Sequence, residues 1–173
     1  MFKTKEIKMK RSVLIAVVLI ASLLVCGPAL AAGKKVLFVD SYHEGYAWSD
    51  GVLNGVETGL DGKDVELKVV RMDTKRNKTD DFKKAAALKV KAEIESFKPD
   101  VVIASDDNAA KFLIMPYYKN ADLPFVFCGV NWDASGYGLP YSNATGMVEV
   151  APVIHTIEML RKYAKGDRIG FIG

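Results

Sequence analysis

The 173-residue sequence predicts an α/β domain built on a doubly wound parallel sheet. An apolar run, a polar loop and a stretch with apolar residues at helical spacing follow one another three times between residues 35 and 130. The apolar runs are short and nearly continuous, as strands buried on both faces of a parallel sheet are. Half of all residues are hydrophobic, and the chain beyond residue 31 has the length of one ordinary domain, so a substantial core is available.

Residues 35–41 (KVLFVDS) form the first predicted strand. After an aromatic-rich loop, Val52, Leu53, Val56 and Leu60 recur at helical spacing over 48–60, with Ser49 or Asp50 available as a cap. A second strand is expected over 65–72. The helix after it spans 78–97, with Phe82, Ala85, Ala86, Leu88, Ala92 and Ile94 as its apolar face. Pro99 disfavours its continuation. A third strand (101–105, VVIAS), a third helix (108–118) and a fourth strand (124–130, PFVFCGV) follow. Residues 131–143 are rich in Gly, Ser, Pro and Tyr without a period and predict a long loop. A short strand over 145–150 and a helix over 151–164 come next, the helix with Val153, Ile157, Leu160 and Tyr163 turned inward. Residues 168–173 (RIGFIG) predict the start of a further strand, and with it a further lobe beyond a domain at 32–150.

Residues 1–31 predict a cleaved secretory signal. Lys3, Lys5, Lys8, Lys10 and Arg11 precede an apolar run from Val13 to Val25, and Ala29-Leu30-Ala31 suits cleavage after Ala31. The run is shorter than the roughly 20 residues a membrane span needs. Cys26 offers an alternative, lipid attachment, which bulky Val25 disfavours. The segment holds five of the 24 Lys and Arg and one of the 21 Asp and Glu, so the remainder carries about one net negative charge. The basic balance of the whole chain therefore gives no reason to expect a nucleic-acid partner. Only Cys128 remains after cleavage, which excludes an intramolecular disulfide in the processed chain.

In open α/β sheets ligands bind beyond the carboxyl ends of the strands, where helix N-termini converge. Four loops are selected by that rule. The first offers Ser41, Tyr42 and His43 with Tyr46 and Trp48, a mix of polar anchors and aromatic walls suited to a small organic molecule. Trp48 serves either as a wall or as a staple holding the loop to the helix. The second loop is Asp73-Thr74-Lys75-Arg76. In the third, Asp106, Asp107 and Asn108 stand at a strand-to-helix junction, where one caps the helix and another is free to meet a ligand. Asn131, after the fourth strand, either offers a donor and an acceptor to a ligand or shapes the loop. Cys128 reads as a small buried hydrophobe, and His155 as a solvent-facing helix residue. No His or Cys stands at ligand spacing from the carboxylate pair, so no metal and no cofactor are expected. Nucleophile-elbow, phosphate-loop, paired-Cys and His-Glu-x-x-His patterns are absent, and no catalytic residue is assigned. A hydrolase or isomerase using His43 with Asp106 as an acid/base pair is the enzymatic alternative.

The motifs SYHEGYAWSDGVLNGV (41–56), MDTKRN (72–77), KPDVVIASDDNAAKFL (98–113) and LPFVFCGVNW (123–132) resemble, in this order, the substrate-binding proteins of ABC transport systems and the similar periplasmic sensor domains of bacterial signalling proteins. The resemblance implies a Rossmann-like first lobe of a type I periplasmic-binding-protein fold. It also implies that Ser41, Tyr42, His43, Asp106, Asp107 and Asn131 line its half of a cleft that holds a small organic ligand such as an amino acid, a sugar or a nucleoside. A membrane permease is the implied partner, and a signalling partner is the implied alternative. The family's members carry a second lobe after the position of Gly173, so 151–173 is expected to be the crossover into it.

Overall fold

The computed structural model describes residues 33–166 and 168–170. The expected leader, its expected cleavage site and Cys26 lie outside the described residues.

Five strands form one parallel sheet in the order β2-β1-β3-β4-β5, made of β1 (Lys34–Asp40), β2 (Val65–Arg71), β3 (Val101–Ser105), β4 (Phe125–Asn131) and β5 (Ala144–Glu149). β1 leads outward to β2 through α1 (Ala47–Leu60), and β2 returns across β1 to β3 through α2 (Asp80–Phe97). Right-handed crossovers running in opposite directions put these two helices on opposite faces of the sheet. α3 (residues 106–117), between β3 and β4, continues in the direction of α2 and shares its face.

The core lies on that shared face. Leu37 and Val39 of β1, Val102 and Ala104 of β3, and Phe125 and Phe127 of β4 pack with Ala86, Ala87, Val90 and Ile94 of α2 and with Ala109, Leu113 and Ile114 of α3. Val36 and Phe38 point to the other side of β1 and are buried as well, which accounts for the unbroken apolar run. Over β3 and β4 the other face is thinly covered: Val101, Ile103 and Cys128 are half-buried, and Val126 is 40 % exposed.

Local chemistry sets the helix ends. Thr79 caps α2 by accepting a hydrogen bond from the Phe82 amide, and Lys98 closes it in the left-handed region, its amide donating to Ile94. The buried stripe of α2 differs from the expected one. Ala86 and Ile94 are buried and Phe82 half-buried, but Ala85, Leu88 and Ala92 face solvent, and Ala87 and Val90 take their place. Four alanines mark two overlapping stripes in this helix, and only contact with the sheet selects one.

The third helix begins earlier than expected, at Asp106. It is α-helical over Asp106–Ala109, widens to a π turn over Ala110–Ile114 and ends as α-helix over Met115–Tyr117. Pro116 supplies a reason: its ring would press on the carbonyl four residues back in a regular helix, and the wider turn relieves that clash.

The expected loop after β4 contains a 3₁₀ turn, Ala134–Tyr137, capped by Asp133. The last helix, α4 (Val153–Tyr163), forms as expected but buries nothing. Val153, Leu160 and Tyr163, expected inward, are all exposed, and only Ile157 is half-covered. The stripe is present, but among the described residues no apolar surface closes over it. Residues 168–170 form no strand, and 171–173 lie outside the described residues.

Candidate functional site

The strand order reverses between β1 and β3, and a crevice opens beyond their carboxyl ends. Register aligns Arg71, Asp40, Ser105 and Cys128 along this edge. Asp40 is fully buried and accepts from the Tyr42 amide (2.9 Å), the Ser49 hydroxyl (2.8 Å) and Arg71 Nε (3.3 Å). One carboxylate thus joins β2, the loop after β1 and the first turn of α1. Its guanidinium partner compensates the charge that burial would otherwise penalise.

Ser41 is also fully buried. Its hydroxyl donates to the Ser105 carbonyl (2.6 Å) and accepts from the Ala109 amide (2.9 Å), and its carbonyl accepts from the Thr74 hydroxyl and amide. The sequence placed Ser41 among the ligand contacts. The structure makes it a brace between loops, with its hydroxyl engaged inside the protein.

Tyr42 bridges the crevice by donating its hydroxyl to Asp106 Oδ2. Asp106 is 4 % exposed, and its other oxygen accepts from the Asn108 amide (3.0 Å). Burial raises the Asp106 pKa above the usual carboxylate value, opposed by the hydrogen bonds from Asn108 and Tyr42. Burial and the Asp106 hydrogen bond push the Tyr42 phenol far up, so it remains a donor. Asp106 holds φ +75°, a left-handed conformation that costs a non-glycine residue energy. Asp73 and Trp132, in two other loops of this edge, also have positive φ.

Asp107 faces the next strand, accepting from the backbone amide and side-chain amide of Asn131. Burial and a hydrogen bond to Asp107 push Tyr137 up to about 12. The sequence left open which acidic residue caps α3 and which meets the crevice. Both lie at the junction, each engaged by protein donors.

Three aromatic rings stand among the polar groups of the walls. Tyr42 meets Tyr46 edge-on with ring centroids 5.1 Å apart and Trp48 at 5.8 Å. The Trp48 ring lies against Gly129, where an added Cβ would come within 2.4 Å of it; with φ +66°, this position requires glycine. Lys75 Nζ stands 4.7 Å above the Tyr42 ring and 4.9 Å above that of Tyr46. Tyr42, Tyr46, Trp48, Lys75, Asp106, Gly129, Asn131 and Glu149 together line a hollow of about 200 Å³. That is below the roughly 300–1,000 Å³ of complete ligand pockets.

His43 stands outside the lining. Its Nδ1 is 3.7 Å from Asp73 Oδ1 and makes no hydrogen bond. Asp73 is held by Arg76 in a two-point pair (2.6 and 2.9 Å) and by Asn77, and the Arg76 hydrogen bond is the main force lowering its pKa. No hydrogen bond joins His43 to Asp106. Burial, with the nearby Glu149 charge, raises the Cys128 thiol pKa, which disfavours the nucleophilic thiolate.

Tyr42, Trp48, Asp106 and Asn131 therefore meet in one hollow as the sequence suggested, with Asp107 behind Asn131. Tyr46 and Lys75, seen in the sequence only as members of their loops, join them. Glu149 was missed altogether, because nothing local marks the end of an irregular fifth strand as part of the same edge.

No family model matches the chain, and no curated protein matches it. Two solved structures share its fold. One is the ligand-free, open form of a substrate binding protein with adhesive properties from Clostridium difficile, at a TM-score of 0.55 and 19 % identity, matched over 76 % of this chain and 44 % of that one. The other is an ABC domain in complex with L-Trp from Streptococcus pneumonia, at a TM-score of 0.54 and 17 % identity, over 75 % of this chain and 43 % of that one. The chain thus spans less than half the length of the solved structures it matches. Over that span the chain shares their fold, a parallel sheet flanked by helices.

Proposed function

We propose that this chain supplies one wall of the ligand cleft of an extracytoplasmic solute-binding protein serving an ABC-type transport system. The observation that carries the reading is the hollow at the strand-order reversal, where Tyr42, Tyr46 and Trp48 form a corner beside the buried Asp106. Aromatic faces with a few fixed polar groups suit a small organic molecule. The fold shared with a substrate binding protein and with an ABC domain holding L-Trp supports a binding role over a catalytic one. Export by the leader at 1–31 and delivery to a permease complete the proposal.

The test is a panel of amino acids, sugars and nucleosides scored by tryptophan fluorescence, since Trp48 lies in the hollow and the chain has only two tryptophans. At least one class is expected to shift the emission saturably, and Trp48→Phe to abolish the shift. A panel that leaves the emission and the melting temperature unmoved counts against a small-molecule site.

A further inference from the structure

We propose that the hollow at the strand-order reversal seats an organic cation of net positive charge, and that the Lys75 ammonium occupies this seat until the ligand displaces it. The inference deepens the cleft reading above, on which it rests.

Two features favour a cation here. The first is the position of Lys75 itself. Its Nζ lies 4.7 Å from the centroid of the Tyr42 ring and 4.9 Å from that of Tyr46, so two rings already hold one ammonium. The residue is exposed, and among the described residues its ammonium has no hydrogen bond and no ion pair. Attraction to the rings and to the nearby Asp106 charge holds it. Burial is the main influence raising the Asp106 pKa, and the Lys75 charge is among those that oppose it.

The second feature is an excess of carboxylates. Arg71 and Arg76, on either side of Lys75 in sequence, are committed to Asp40 and Asp73. Asp106 and Asp107 accept from neutral donors, Tyr42 and Asn108 for one and Asn131 for the other. Glu149 lines the same hollow, and among the described residues its side chain has neither a hydrogen-bond donor nor a cationic partner. Three carboxylates thus gather around one ammonium. An incoming ammonium gains the rings and, unlike Lys75, the Glu149 carboxylate as an acceptor. The displaced Lys75 side chain returns to water at little cost, being exposed and unpaired. A zwitterion would bring its own carboxylate into a site already rich in them, so a net positive charge is preferred.

The test uses the full chain carrying Trp132→Phe, so that Trp48 alone reports, with and without Lys75→Ala. The probes are n-butylammonium, which is the lysine side chain freed from its backbone, its neutral counterpart 1-butanol and the zwitterion 4-aminobutanoate. With Lys75→Ala, n-butylammonium is expected to shift the Trp48 emission saturably and to bind about tenfold or more tightly than either counterpart, as hydrogen bonds to charged groups exceed neutral ones. Where Lys75 is present the same cation is expected to bind roughly tenfold more weakly, because it competes with a tethered ammonium. Glu149→Gln is expected to remove its advantage over 1-butanol. Equal binding of the cation and 1-butanol, a zwitterion bound as tightly, an affinity that Lys75→Ala leaves unchanged or lowers, or an advantage that survives Glu149→Gln would overturn the cation seat while leaving the cleft intact. So would silence from all three probes when an uncharged or acidic member of the wider panel moves Trp48. Silence from every compound removes both readings.

Discussion

β1 and α4 are both rich in apolar residues, and burial separates them. Leu37, Phe38 and Val39 of β1 are fully enclosed, whereas in α4 Leu160 is 50 % and Tyr163 78 % exposed. β1 is central, with β2 and β3 on its flanks, whereas α4 follows the edge strand β5, in which only Ala144 is buried. A sequence stripe therefore states an intention to pack, and its energetic value depends on what the chain brings against it.

Substitution at matched apolar positions breaks or sharpens this contrast most strongly. Phe38→Ala is expected to lower unfolding stability by about 3–5 kcal/mol, measured by urea titration, because the enclosed strand cannot collapse around the cavity. Next comes Asp40→Ala, which leaves the Tyr42 amide, Ser49 and Arg71 without their acceptor. A loss of about 2–3 kcal/mol is expected, less than for a fully buried pair because Arg71 keeps a quarter of its side chain in water. Tyr42→Phe removes a donor to buried Asp106 and is expected to cost about 1–2 kcal/mol. It should also raise the Asp106 pKa further, a change readable by carboxyl-carbon NMR titration. Leu160→Ala is expected to cost less than about 0.5 kcal/mol. A loss comparable to that at Phe38 would show that α4 packs against something in solution, and the contrast between the two regions would fail.

The pH dependence separates the site from its surroundings. Because the Asp106 pKa is raised in the folded protein, the native state holds that proton more tightly than the unfolded chain does. Stability from this group therefore falls as pH rises through the ordinary carboxylate range toward the raised value, and levels above it. Asp73 and Asp100, whose values are lowered, act in the opposite sense and contribute stability that is lost on acidification. Urea midpoints of the wild type and Asp106→Asn across acidic pH isolate the first effect. The variant's disadvantage should shrink, or become an advantage, toward neutral pH; parallel curves would count against the raised value.

Much of the fold was legible because its signals are local. The strands at 35–41, 101–105 and 124–130 were marked by continuous apolar runs, and the end of α2 by Pro99. The stripe of α2 was misread at Ala85, Leu88 and Ala92 because alanine fits either side of a helix boundary. In the site, Tyr42, Trp48, Asp106 and Asn131 were found by a rule about strand ends that needs only strand positions. His43 satisfied the same rule yet points to Asp73, and Ser41 satisfied it yet is sealed inside. Side-chain direction at a strand end depends on neighbours distant in sequence, and no local pattern encodes it.

The sequence by itself determined the alternation of strands and helices, the parallel sheet it implies and the loops at which a ligand site had to be sought, because backbone propensity, apolar periodicity and crossover handedness act over a few residues or one unit. Only the tertiary structure decided that Asp40 joins three elements, that Tyr42 reaches Asp106 across 64 positions, that Lys75 lies over two tyrosines, and that Glu149 belongs to the same hollow. Those relations follow from strand order and register, which bring remote residues within a few ångströms of one another, and a one-dimensional pattern does not contain that distance.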